Sequence, residues 1–173
     1  LDVIGTCGSW YYIKNGSDYG FFPKSKVSVL SLSKDYITIK KGEESALSMG
    51  NSTDGYSLTS GFNWASSNTS AATFSGGKVK GSAEGTTAIT AKRDGSSLSE
   101  SCFTSVYTEI VQTAEYTIKD TAIRKGAAGT AASIQTLSKN TNITMLGQCG
   151  AYYYVDVSGT KGFVLKTDVS VSV

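Results

Sequence analysis

Residues 1–29 read LDVIGTCGSWYYIKNGSDYGFFPKSKVSV, and residues 143–171 read ITMLGQCGAYYYVDVSGTKGFVLKTDVSV. The two stretches align without a gap at a fixed offset of 142, residue 1 falling on residue 143. Gly5/Gly147, Cys7/Cys149, Gly8/Gly150, Tyr11/Tyr153, Tyr12/Tyr154, Gly20/Gly162, Phe21/Phe163 and Lys24/Lys166 are identical, as are the closing Val-Ser-Val runs. Other pairs keep their character: Leu1/Ile143, Ile4/Leu146, Trp10/Tyr152, Ile13/Val155. Internal similarity at this length marks two copies of one structural unit. Each copy runs from an alternating segment through a Gly-x-Cys-Gly turn to an aromatic strand, then a polar turn, a Gly-Phe pair and a final strand. Short strands with glycine-bearing turns every 8–12 residues predict a small barrel or sandwich.

Composition agrees with β structure. The chain has 173 residues, 19 Gly, one Pro and 10 Tyr, and Ser plus Thr make up about a quarter of it, well above the usual share for a soluble domain. Tyr, Val, Ile and Thr suit a pleated, half-buried surface. With no His, this chain supplies no imidazole base for Ser-His-Asp or Cys-His catalysis, and zinc sites lose their commonest ligand. A net charge of +2 with 14 Asp plus Glu against 16 Lys plus Arg gives little drive toward nucleic acid. No apolar run approaches the roughly 20 residues of a membrane helix. The first residue is Leu, without a charged segment and apolar core behind it, so the expectation is a processed product or a fragment.

The grammar of the two end copies resembles the second half of bacterial SH3-type domains, roughly Val-x-Val-Leu-Gly, then Trp-Tyr-x-Val, then Gly-Tyr/Phe-Val. Gly20-Phe21-Phe22-Pro23 is also similar to the Gly-Tyr-Ile-Pro turn of SH3 domains. Upstream of the second copy, residues 110–142 include Ala122-Ile123-Arg124-Lys125-Gly126 and Ile134-Gln135-Thr136-Leu137, which resemble that domain's first half. The first copy is therefore read as a second half without its first.

The middle of the chain carries Phe62-Asn63-Trp64-Ala65-Ser66-Ser67-Asn68, Ala72-Thr73-Phe74, Gly77-Lys78-Val79-Lys80-Gly81 and Gly85-Thr86-Thr87-Ala88-Ile89-Thr90-Ala91 in that order. This series resembles the bacterial immunoglobulin-like group 2 domain. Together the resemblances imply an all-β chain: residues 1–29 as half of an SH3-like barrel, 30–108 as an immunoglobulin-like β-sandwich, and 109–173 as a complete SH3-like barrel. Trp64 suits the space between two sheets, and Ile89 and Ala91 share a face.

Period 2 puts Trp10 and Tyr12 on one face of their strand and Tyr11 and Ile13 on the other, and Tyr152 and Tyr154 repeat this. One row is core, while the other can form an aromatic platform. Resemblance puts Trp10 and Tyr152 at the ligand-facing aromatic position of SH3-type domains. Trp10, Tyr12, Tyr152 and Tyr154 are therefore the candidate ligand-binding residues, against the alternative that all four are packing. Cys7, Cys102 and Cys149 lack a CxxC pattern and are read as free thiols, with a disulfide open but not deducible. The acids, including Asp18, Glu84, Asp120, Asp156 and Asp168, are scattered and read as solvated surface charge. Asn15-Gly16-Ser17, Asn51-Ser52-Thr53, Asn68-Thr69-Ser70 and Asn142-Ile143-Thr144 match the glycosylation pattern as expected by chance in such a composition.

No catalytic residues, metal or cofactor are expected. The preferred expectation is a non-catalytic part of an exported bacterial surface or wall protein, a spacer whose SH3-like modules bind wall peptide, peptidoglycan or another protein chain. The alternative is a structural subunit of a surface layer, filament or phage tail. In that case another chain, including a further copy in a homo-oligomer, completes the N-terminal half-barrel, because two or three strands with open edges are marginal alone.

Overall fold

The computed structural model describes residues 2–26, 30–51, 57–58 and 61–171. Leu1, the Val27-Ser28-Val29 run, Asp54 and most of the Asn51-Ser52-Thr53 pattern lie outside them. The chain is all-β; among the described residues the only helical pieces are two single turns, and no helix is long and apolar enough to cross a membrane.

The first copy forms β1 (Asp2–Cys7), β2 (Trp10–Asn15) and β3 (Asp18–Pro23), an antiparallel meander ending in a 3-10 turn at Lys24–Lys26. The middle segment contributes β4 (Leu30–Leu32), β5 (Tyr36–Lys40), β6 (Glu44–Ala46), β7 (Met49–Asn51), β8 (Ser57–Leu58), β9 (Phe62–Ser66), β10 (Ala72–Ser75), β11 (Lys78–Gly81) and β12 (Gly85–Arg93). It is closed by the first part of β13 (Ser99–Tyr116). One layer runs β9-β12-β13, with β5 added in parallel on the far edge of β13; β10-β11-β6 and β4-β7-β8 form two further sheets. The core between them holds Ile37, Ile39, Leu47, Ala72, Val79, Ile89, Cys102 and Val106, drawn from alternate positions of each strand as the pleat requires. Trp64 stacks on Phe74 at the margin of this core, ring centroids 4.0 Å apart. The Ser66-Ser67-Asn68 run is a polar clasp: the Ser66 hydroxyl donates to the Ala72 carbonyl at 2.7 Å, and the Asn68 and Ala88 amides donate to the hydroxyls of Thr87 and Ser67, both at 2.9 Å. The resulting bonds tie the β9–β10 turn to β12.

β13 is 18 residues long, about 60 Å at the usual rise per residue. Its first half belongs to the sandwich; its second half pairs with β16 (Asn142–Cys149). The 108/109 division expected from the sequence thus falls within a continuous strand. A register shift lies between Glu109 and Thr113, where a bulge lets one strand serve two differently twisted sheets.

The remaining strands are β14 (Thr121–Arg124), β15 (Ser133–Leu137), β17 (Tyr152–Val157) and β18 (Thr160–Leu165), with a 3-10 turn at Lys166–Asp168. The order β15-β14-β18-β17-β16-β13 does not return on itself, so the C-terminal module is a curled open sheet and not the closed barrel expected. The reason is that β13 arrives as an extension of the sandwich. Among the described residues an isolated bridge, Thr117 to Val169, links the end of β13 to the module's last strand-forming residues. The module's core holds Ile123, Leu137, Ile143, Met145, Val155, Val157, Val164 and Val169.

Candidate interaction surface

The strand pairings of the two copies match register for register. In the first, Val3 pairs with Ile13, Gly5 with Tyr12 and Cys7 with Trp10, with a shift between Val3 and Gly5; in the second, Met145 pairs with Val155, Gly147 with Tyr154 and Cys149 with Tyr152, with the same shift. The next hairpin matches as well, from Trp10↔Pro23 and Tyr152↔Leu165 onward. The Lys24 amide donates to the Ser9 carbonyl at 2.8 Å and the Lys166 amide to the Ala151 carbonyl at 2.9 Å. Even the side chains agree. Lys24 and Lys166 stand over the rings of Tyr11 and Tyr153 at 5.4 and 5.1 Å, and Tyr12–Phe21 and Tyr154–Phe163 lie 4.9 and 5.1 Å apart.

The two copies differ in what covers them. In the second, β13 flanks β16 on one side and β14 flanks β18 on the other. Tyr107 packs tilted against Tyr154 with ring centroids 4.6 Å apart, extending the Tyr154–Phe163 pair into a three-ring cluster. The sandwich also reaches across: the Glu84 carboxylate accepts from the Gly150 amide at 2.8 Å, and the Cys149 thiol lies 3.5 Å from the Gly85 carbonyl. The Ala127 amide donates to Ser105 Oγ and the Ala132 amide to the Tyr36 hydroxyl. Phe163 and Val164 are both 0% exposed and Met145 is 4%. Among the described residues of the first copy, β1 and β3 have no strand beyond them. Phe21 is 57% exposed, Phe22 44% and Val3 38%, and Cys7 is exposed where Cys149 is buried.

The four aromatic candidates therefore stand in two settings. Trp10 is exposed, while Tyr12 is half-buried against Phe21 and Tyr19. Tyr154 is packed between Tyr107 and Phe163, and Tyr152 is half-buried with its hydroxyl near Gly129. The structure brings Tyr12 together with the exposed Phe21 and Tyr19. Sequence reasoning missed Tyr107 and Glu84, the second having been counted among scattered surface acids. The signal for Tyr107 lay in Gly5/Gly147, since an identical Gly in both copies at a strand position reports a close neighbour.

Burial pushes the Cys102 and Cys149 thiols up to about 11, against the lowering effect of Thr104 near Cys102 and, for Cys149, reinforced by the Glu84 charge. Asp168 is buried, which alone raises its pKa; the Lys119 ammonium at 2.8 Å and the hydroxyls of Thr121 and Thr167 outweigh that and hold it below the usual carboxylate range. An open hollow of about 440 Å³ brings Glu115 and Asp156 to one place between β13, β16 and β17. Among the described residues no group of three or more His, Cys, Asp or Glu is placed to hold a metal.

No family model matches the chain. No curated protein matches it either. Among solved structures, the chain is similar to domains 5-6 of the S-layer protein SbsC, with 15% identity over 84% of this chain and 86% of that one and a TM-score of 0.38. It is also similar to domains 1-6 of the surface layer protein SbsC, with 14% identity over 95% of this chain and a TM-score of 0.41, and to the S-layer protein rSbsC(31-844), at 15%, 95% and 0.41. The chain spans 28% of the length of each of these two.

Proposed function

We propose that the chain is a structural segment of an exported cell-surface assembly, a non-catalytic spacer in which an immunoglobulin-like sandwich is fused rigidly to an SH3-like module. The observation that carries this reading is the paired state of the two copies. One fold appears twice at the same register, once buried by the sandwich and by β13 to β15, once with apolar faces open. Exposed apolar patches rimmed by polar residues mark contact surfaces, and open strand edges invite pairing. Residues that would serve a wall-binding groove in the second copy are instead engaged: Tyr154 lies between two rings. This favours assembly over capture of wall peptide. Antibodies against the chain should label the outer face of intact source cells. Purified chain should stay in the supernatant when insoluble peptidoglycan is spun down. Labelling confined to the cell interior, or sedimentation with peptidoglycan that Trp10→Ala abolishes, would overturn the reading.

A further inference from the structure

We infer that the open face of residues 2–26 is the docking site for a further unit of the same kind as residues 30–142, contributing a first-half segment of the make-up of residues 107–137 and a sandwich acid equivalent to Glu84. The inference rests on the structural reading above. The chain itself supplies the template, because the same surface is occupied at the other end.

The glycines identify the occupant. A Cβ on Gly147 would stand 2.4 Å from Tyr107 Cδ2 and 2.8 Å from the Thr108 carbonyl oxygen; one on Gly162 would stand 2.3 Å from Ile123 Cγ2 and 2.6 Å from the Arg124 carbonyl oxygen. These positions are glycine because the covering segment leaves no room for a side chain. Gly5 and Gly20 keep the same residue, yet a Cβ there would meet only the Tyr12 Cβ at 3.7 Å and the Phe22 ring at 3.6 Å. Neither has the positive φ that would itself demand glycine. The free first copy gives no reason for them, and a covering segment with an aromatic residue and an Ile-Arg strand gives one. Gly8 matches Gly150 in backbone shape, φ 52° against 56°, so its amide is presented as the Gly150 amide is presented to Glu84.

Stoichiometry decides between a second copy of these 173 residues and a distinct unit. Each copy has two second halves, 1–29 and 143–171, but one first-half segment, and that segment already covers 143–171. A second copy of these 173 residues therefore has no spare first-half segment to offer the open face.

The exposed Cys7 thiol reads out the contact, since its counterpart Cys149 is buried against the sandwich, its thiol 3.5 Å from the Gly85 carbonyl. The full chain is mixed with a recombinant unit of residues 30–142, first shown to be folded by a cooperative melt and an unreactive Cys102, and alkylation of Cys7 is followed by mass spectrometry. A saturating excess of this unit should slow Cys7 labelling at least tenfold. Gly5→Ala and Gly20→Ala, each first shown to melt as wild type, should lose the protection. Unchanged labelling at a saturating excess of the unit, equal protection of both Ala variants, or concentration-dependent Cys7 protection in the chain alone would each overturn the proposal. None of these results bears on surface labelling of cells, so the two readings fail separately.

Discussion

The ring of Tyr107 fills the space a side chain at Gly147 would need, its Cδ2 lying 2.4 Å from where a Cβ would stand. The Thr108 carbonyl is almost as close at 2.8 Å, and backbone does not swing aside as a flexible side chain does. Gly147→Ala is therefore an overpacking change, costing about 2 kcal/mol and lowering Tm by roughly 4–8 °C in a chain of this size. Gly5→Ala, at the same position of the open copy, should change Tm by less than about 2 °C or raise it slightly, because Ala loses less chain entropy than Gly. Thermal melts of the two variants test the pair, and equal losses would contradict the difference in covering.

Thiol chemistry should separate the three cysteines. Cys7 is exposed, whereas Cys102 and Cys149 are each at most 1% exposed and have thiols raised to about 11. Since the thiolate is the nucleophile, one thiol per chain should react with an aromatic disulfide reagent at pH 8 within minutes. The other two should react only on addition of denaturant. Three fast thiols, or none, would contradict the burial pattern.

Much of this organisation is legible in the sequence. The copies at 1–29 and 143–171 are visible because identical glycines and aromatics set an identical register, and strand alternation sorts Tyr11 and Ile13, both buried, from Trp10, which is exposed. The open C-terminal sheet is not legible, because closure depends on how β13 is shared between two modules. That sharing depends on the bulge after Glu109, in a stretch, Ile110-Val111-Gln112, that reads as ordinary strand; Val111 nonetheless points to solvent at 85% exposure. Glu84 is equally hidden, since its partner Gly150 lies 66 residues away and no spacing rule connects them.

β13 also sets the unfolding behaviour. Pairing with β12 and β5 in the sandwich and with β16 beyond it, it cannot melt in one module and survive in the other. Calorimetry should therefore show the sandwich and C-terminal module unfolding in one transition whose calorimetric and van't Hoff enthalpies agree. A proline at Glu109, which pairs with Gly147, interrupts the ladder and should split that transition in two. A wild-type chain with two resolved transitions would show that the shared strand does not couple the modules.

Asp168 supplies a pH dependence of known sign. Its carboxylate is held by Lys119, Thr121 and Thr167, and its pKa in the folded chain lies below the ordinary value. A carboxyl with a depressed folded pKa binds more protons unfolded than folded, so its contribution is fully present above the unfolded pKa, near 4. It is lost progressively as pH falls through that value toward the folded one. At neutral pH, Asp168→Asn should cost about 1–3 kcal/mol, the usual cost of removing hydrogen bonds to a charged group. As pH is lowered from 6 to 3, the gap between wild type and Asp168→Asn should narrow. The first copy has Lys26 at this position, so Lys26→Asn should leave the acid limb unchanged. Urea titrations across that range measure both variants, and a gap that widens toward acid would reverse the sign assigned to Asp168.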